Sequence, residues 1–230
     1  MNKGIRRWAR LTIIADIVFT LAWIAAATWQ GPNYSTTAHT ISDMYADGAP
    51  GAWVLIVVFS ICGAIGIVFA LRSLWPALRP AGLPAGIGSA LLAMSIFGLG
   101  DLLSPFEREG CRLADPGCTP GHQLATSGGA MDSILSNLGV LALAISGFFL
   151  SAALRKLPAW AGWARATLIG TVVFVLVGLA DVYFSGANLG GFGERLVALI
   201  GAAGITALAI GVVRRTNTPM QTVPVEDRVA

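Results

Sequence analysis

The residues best able to do chemistry in this chain are carboxylates set inside or beside long apolar runs. Asp16, Asp101, Asp132 and Asp181 all occupy such positions. A charge at membrane depth is costly, so each of these acids is a functional candidate by default. Asp16 falls about 12 Å past Trp8 along a first helix, at a rise of about 1.5 Å per residue. That depth requires it to face a bundle interior, and the plainer reading is a hydrogen-bonded acid gluing helices through Thr12 or Thr20.

Asp101, Asp132 and Asp181 lie near span ends expected at one membrane face, so carboxylates from three helices can converge there. Burial raises the pKa of such groups into the range needed for general acid or base work, or for proton-coupled transport. They are the catalytic candidates. The flanking loops add His39, Ser42 and Asp43, then Glu107, Glu109 and His122, then Glu194. Together these make an acidic vestibule, with Arg108, Arg112 and Arg195 as counter-ions. The expected ligand-binding set is His39, Ser42, Asp43, Asp101, Glu107, His122, Asp132, Asp181 and Glu194. For Asp43 and Asp132 the plainer reading is capping of the helices they precede.

Two histidines and several acids are ordinary ligands for a divalent metal, but neither HxxxH nor HExxH spacing occurs. Neither GxSxG nor a phosphate loop ending in Lys-Ser or Lys-Thr is present. No metal and no cofactor is therefore expected. Cys62 sits inside an apolar run as a small packed residue, whereas Cys111 and Cys118 share one loop and are expected to form a disulfide in an oxidising compartment.

The elements that must position these groups follow from composition. The chain has 230 residues, 55% hydrophobic and only 12% charged, against about 25% charged in a soluble domain. So little charge cannot coat a water-facing surface. Six apolar runs stand out, at about 11–29, 53–71, 83–103, 134–154, 164–183 and 196–213. Each is long enough to cross a hydrocarbon core as a helix, the form that pairs its own backbone in lipid. The expected fold is all-α, a polytopic transmembrane bundle of six helices formed by residues 1–215, with a disordered tail at 216–230. The basic start and the run to Ala27 also look like a secretory signal. Asp16, two Trp and the later spans favour a retained anchor.

Lys3, Arg6, Arg7, Arg10, Arg72, Arg79, Arg155, Lys156, Arg165, Arg214, Arg215 and Arg228 fall on one side of these spans, and Arg108, Arg112 and Arg195 on the other. The positive-inside bias then places both termini in the cytoplasm of a multi-pass cell-membrane protein. Basic residues clustered beside apolar runs act as topology signals, so nucleic acid is not an expected partner. Trp8, Trp29, Trp53, Trp75, Trp160 and Trp163 sit near span ends, as interfacial anchors do. Small residues at four-residue spacing, such as Gly66 with Ala70 and Ala207 with Gly211, favour close helix contact.

The segment Tyr34 to Trp53, YSTTAHTISDMYADGAPGAW, resembles the signature of domain-of-unknown-function family 998, a group of bacterial and archaeal six-span membrane proteins. The matching positions are Tyr34, Ile41-Ser42-Asp43, Gly48-Ala49-Pro50 and Trp53. Pro120-Gly121-His122 and Gly191-Phe192-Gly193-Glu194-Arg195 are further echoes, while the insert Cys111 to Cys118 departs from the pattern. The resemblance implies fold and membrane placement, and no activity.

Apolar walls with converging acids are a recipe for a ligand pocket. The expected function is binding of a lipid-like or amphiphilic ligand at a polar, acidic pocket near the outer face, with the lipid bilayer as surroundings. The rivals are a membrane-embedded hydrolase, transferase or cyclase using a buried Asp, and a proton-coupled transporter. Oligomeric state is not encoded in any pattern seen.

Overall fold

The computed structural model describes residues 3–215, so the tail expected at 216–230 lies outside the described residues. Five helices are long and apolar enough to cross a membrane, and the described residues hold no strand. They are α1 (Lys3–Ala26), α2 (Ala52–Phe69), α4 (Ser127–Arg155), α5 (Ala161–Gly186) and α6 (Gly190–Arg215). Between α2 and α4, α3 (Leu83–Ala93) and the segment Ile96–Leu103 form a pair bent by 41°. Counted as one span, this pair brings the number to six.

The break has a local cause. Ser95 leaves the helical region at φ −71°, ψ 174°, its hydroxyl returns to Leu92 O, and its own carbonyl accepts from both Gly98 N and Gly100 N. The wide turn that follows, Ile96–Gly100, lies directly against α2. A Cβ at Gly66 would sit 2.5 Å from Phe97 O, and one at Gly63 2.6 Å from Gly98 O, so only glycine allows this approach. Irregular backbone at membrane depth is tolerated where protein, not lipid, surrounds it.

Each helix packs on the next in sequence, and α6 returns to α1, closing a ring. Aromatic rings fill its centre: Phe19 of α1 lies 4.8 Å from Phe59 of α2 and 5.4 Å from Phe97, centroid to centroid. Gly201 on α6 abuts the Phe97 ring, where a Cβ would not fit. Outward faces are apolar and exposed, among them Ile14, Leu21, Ile61, Leu141, Leu176 and Leu199. In water that pattern would be a liability; against lipid tails it is the expected surface.

Loops 30–51 and 104–126 lie at the same end of the ring, called here the capped end, and are tied together. Asp47 N donates to Glu109 O, and Arg108 reaches Tyr45 O, Ala46 O and the Asp47 carboxylate at 3.0 Å. Arg112 donates to Gln30 O at 2.8 Å. Cys111 and Cys118 are joined by a disulfide.

Candidate functional site

Two independent capping events set the frame. Thr119 accepts from His122 N to start the short helix Pro120–Leu124, and Thr126 accepts from Gly129 N to start α4. With the α4 cap taken by Thr126, Asp132 is free inside α4, while Asp43 sits in the turn Ser42–Met44 and α2 starts after Gly51 without a side-chain cap. Neither acid caps a helix.

The two loops fold inward and bury their polar side chains. Asp43, fully buried, accepts Leu113 N at 2.5 Å and Gln123 Nε2 at 3.4 Å through one oxygen, while its other oxygen has no partner among the described residues. Glu109 accepts Gln123 Nε2 at 2.7 Å and the Ser42 hydroxyl at 3.3 Å. The Tyr45 hydroxyl is directed at Asp132 Oδ1 at 3.5 Å, the outer limit of a hydrogen bond. Glu194, at the start of α6, accepts Ile41 N. Glu107 is 2% exposed, and its Oε1 has no partner among the described residues.

Desolvation governs the titration of the loop acids. Burial pushes Glu107 up to about 8, helped by the Asp132 charge. Burial likewise pushes Glu109 up to about 9, with Asp132, Glu194 and Asp43 adding to it and the Ser42 hydroxyl opposing. Asp43 is also raised by burial, against the pull of the Leu113 amide and His39. The Tyr34 phenol rises to about 12 because it is buried, although Arg195 stabilises its anion.

Arg195 organises the other side. Its Nη1 donates to Thr36 O, His39 O and Gly191 O, each at 2.8 Å, and its Nη2 to the Tyr34 hydroxyl at 2.5 Å. The guanidinium also lies 5.7 Å from the Trp23 ring centroid, a cation–π distance. One side chain thus holds the first loop, α1 and α6 together.

The structure groups the sequence-derived residues unevenly. Ser42, Asp43, Glu107, Asp132 and Glu194 share the interior of the capped end, and Asp101 lies within electrostatic reach of Glu107. Asp181 lies at the α5–α6 seam, in electrostatic reach of Glu194 and packed against Gly193, with its Oδ1 buried and unpartnered among the described residues. His39 is turned to Ser35 N through Nδ1. His122 is exposed on the disulfide loop beside Gly117 O. Asp16 is paired across the α1–α6 contact with Thr206 at 2.6 Å; Thr12 and Thr20 spend their hydroxyls on backbone carbonyls of their own helix. Tyr45 and Gln123 belong to the cluster, although sequence reasoning did not select them. A Tyr two residues after Asp43 was the one available cue.

Among the described residues no group of three or more His, Cys, Asp or Glu side chains converges as a metal site. A separate cavity of about 340 Å³ lies between α4, α5 and α6, walled by Leu143, Leu150, Trp163, Phe174, Gly204 and Leu208. Two of the hydroxyls on its wall are already satisfied, Ser146 by Gly88 O and Thr171 by Thr167 O. Its surface is mostly apolar.

Neither the curated proteins nor the solved structures searched contain a match to the chain. The family model described as Protein of unknown function (DUF998) matches residues 13–211, and the chain belongs to that family.

Proposed function

We propose that this protein binds an amphiphile, with its chain in the cavity between α4, α5 and α6 and its head toward Asp181 and Glu194. The observation that carries this reading is the register of the walls with the acids. Phe174 and Asp181 are seven residues apart on α5, and Gly201 and Glu194 seven apart on α6. A spacing of seven returns to the same helix face about 10 Å further along. The apolar cavity and the orphaned Asp181 oxygen thus lie in line on neighbouring helices. A volume of about 340 Å³ suits one acyl or isoprenoid chain, and an acceptor oxygen selects a head that donates, such as an amine or hydroxyl. The other acids, Asp43, Asp101, Glu107 and Asp132, do not line this cavity.

In the same reading the capped end faces the cell exterior and both termini the cytoplasm. The distribution of Lys and Arg supports that orientation, as does the Cys111–Cys118 disulfide at the capped end, since such bonds persist in oxidising compartments.

Trp163 on the cavity wall provides the test. A brominated long-chain amine titrated onto the purified protein should give saturable fluorescence quenching that disappears in Trp163→Phe. Gly204, where a Cβ would meet nothing within 4 Å, accepts a bulky side chain without a backbone clash. Gly204→Phe should fill the cavity and abolish the saturable component, and Asp181→Asn should weaken the amine more than the matching bromo-alcohol. Equal quenching in Gly204→Phe and the parent protein would reject the site.

A further inference from the structure

The acids inside the capped end are poorly matched by cations. Arg112 faces Asp43 and Arg195 faces Glu194, while Arg108 is turned away to Asp47. Glu107 and Asp132 are left within electrostatic reach of each other across the seam where the backbone of Arg108 packs on Gly128, one helical turn before Asp132 on α4. The neighbouring titratable groups are Tyr45 from the first loop, Glu109 from the second, Glu194 from α6 and Asp101 from the Ile96–Leu103 segment. From α2, Cys62 faces Asp101 and Asp16. No basic residue is among them. Glu107 itself is 2% exposed, and its Oε1, in that company, lacks any hydrogen-bond partner among the described residues.

Two carboxylates at close quarters in a desolvated site cannot both ionise cheaply, and one proton held between them removes the conflict. It also gives Glu107 Oε1 the partner it lacks. The row continues inward, because Asp101 is in electrostatic reach of Glu107 on one side and of Asp16 on the other. Asp16 lies within α1 and is bonded to Thr206 of α6, so the acids run from the capped end into the ring.

We propose that Glu107 and Asp132 form a proton-binding pair that takes one proton from water at the capped end, with Asp101 and Asp16 as the next acceptors inward. The proton moves without any change of covalent bonding or redox state. The pair is distinct from the amphiphile cavity, so its test does not require that reading to hold.

The experiment is infrared titration of the full-length protein in nanodiscs of neutral phosphatidylcholine, following the carbonyl band of protonated carboxyl groups. The parent protein should show such a band at neutral pH and release about one proton per chain from the pair as the pH rises into the alkaline range. Glu107→Gln should remove that one-proton step, and Asp132→Asn should shift it to lower pH, because Glu107 loses a like-charged neighbour but stays buried; the separate release from Glu109 remains in both. Tyr45→Phe keeps both acids and the ring packing on Phe59. It should move the step toward higher pH, because the shared anion loses a donor. A neutral-pH spectrum without protonated carboxyl intensity would overturn the proposal. So would an alkaline step unchanged in Glu107→Gln. Should the carboxyl variants fail to fold by circular dichroism, an unmoved step in folded Tyr45→Phe overturns it as well.

Discussion

Replacing Arg195 by alanine should loosen the first loop locally where it meets α6. The guanidinium is the donor to Thr36 O and His39 O, two loop carbonyls, each at 2.8 Å. An acceptor left without a partner costs about 1–3 kcal/mol, and Thr36 is exposed, so water replaces part of its loss and the lower figure applies. Two carbonyls at about 1 kcal/mol each make a loss of about 2 kcal/mol, or about 30-fold in the opening equilibrium. The loop keeps its backbone contacts Gly191 N to Ala38 O and Phe192 N to Thr37 O, so opening stays local. Hydrogen–deuterium exchange reads this directly at His39 N, bonded to Ser35 O, and at Ser35 N, bonded to His39 Nδ1. Both amides should exchange about 30-fold faster in Arg195→Ala. Arg195→Lys should recover part of the protection, because an ammonium donates from a single point and cannot reach four acceptors as a plane does. Unchanged exchange in Arg195→Ala would refute the assignment of this side chain as the clamp.

The raised pKa values of Glu107 and Glu109 carry a sign. Both start from 4.5 unfolded and reach about 8 and about 9 folded, so the folded state holds more protons between those limits. Their contribution to stability is complete below about 4.5 and is lost as pH rises through about 8 and 9. Thermal unfolding in detergent should therefore show Tm falling from neutral to alkaline pH, and the double variant Glu107→Gln with Glu109→Gln should flatten that fall. Gly63→Leu should cost about 1–3 kcal/mol or more by forcing α2 off the Gly98 and Asp101 backbone, whereas Gly162→Ala, with nothing within 4 Å, should be neutral or slightly stabilising. Peptide mapping without reduction should recover Cys111 and Cys118 cross-linked. Reducing the bond should remove about 2.5 kcal/mol of loop constraint, leaving the bundle's Tm unchanged. Membrane-impermeant thiol reagents should label Thr36→Cys in intact cells and Ala159→Cys only after lysis; the reverse pattern would invert the proposed orientation.

Helix number and membrane placement were legible because they are local properties. A helix in lipid pairs its own backbone, so a sufficient apolar run declares itself without reference to any partner. The disulfide was legible for the same reason, its two cysteines being seven residues apart. The fate of the acids was not local. Asp16 finds Thr206 at the far end of the chain, Asp43 finds Leu113 and Gln123, and Glu109 finds Ser42, all by long-range folding of loops onto the ring. The break in the third span was equally hidden. Gly98 and Gly100 permit it, but the close seat against Gly63 and Gly66 decides it. The cavity between α4, α5 and α6 belongs wholly to the tertiary structure, since it is defined by the side chains that three helices fail to bring together. Tertiary structure also decides which carboxylates stay unpaired, because desolvation and partner choice depend on neighbours that sequence order does not name.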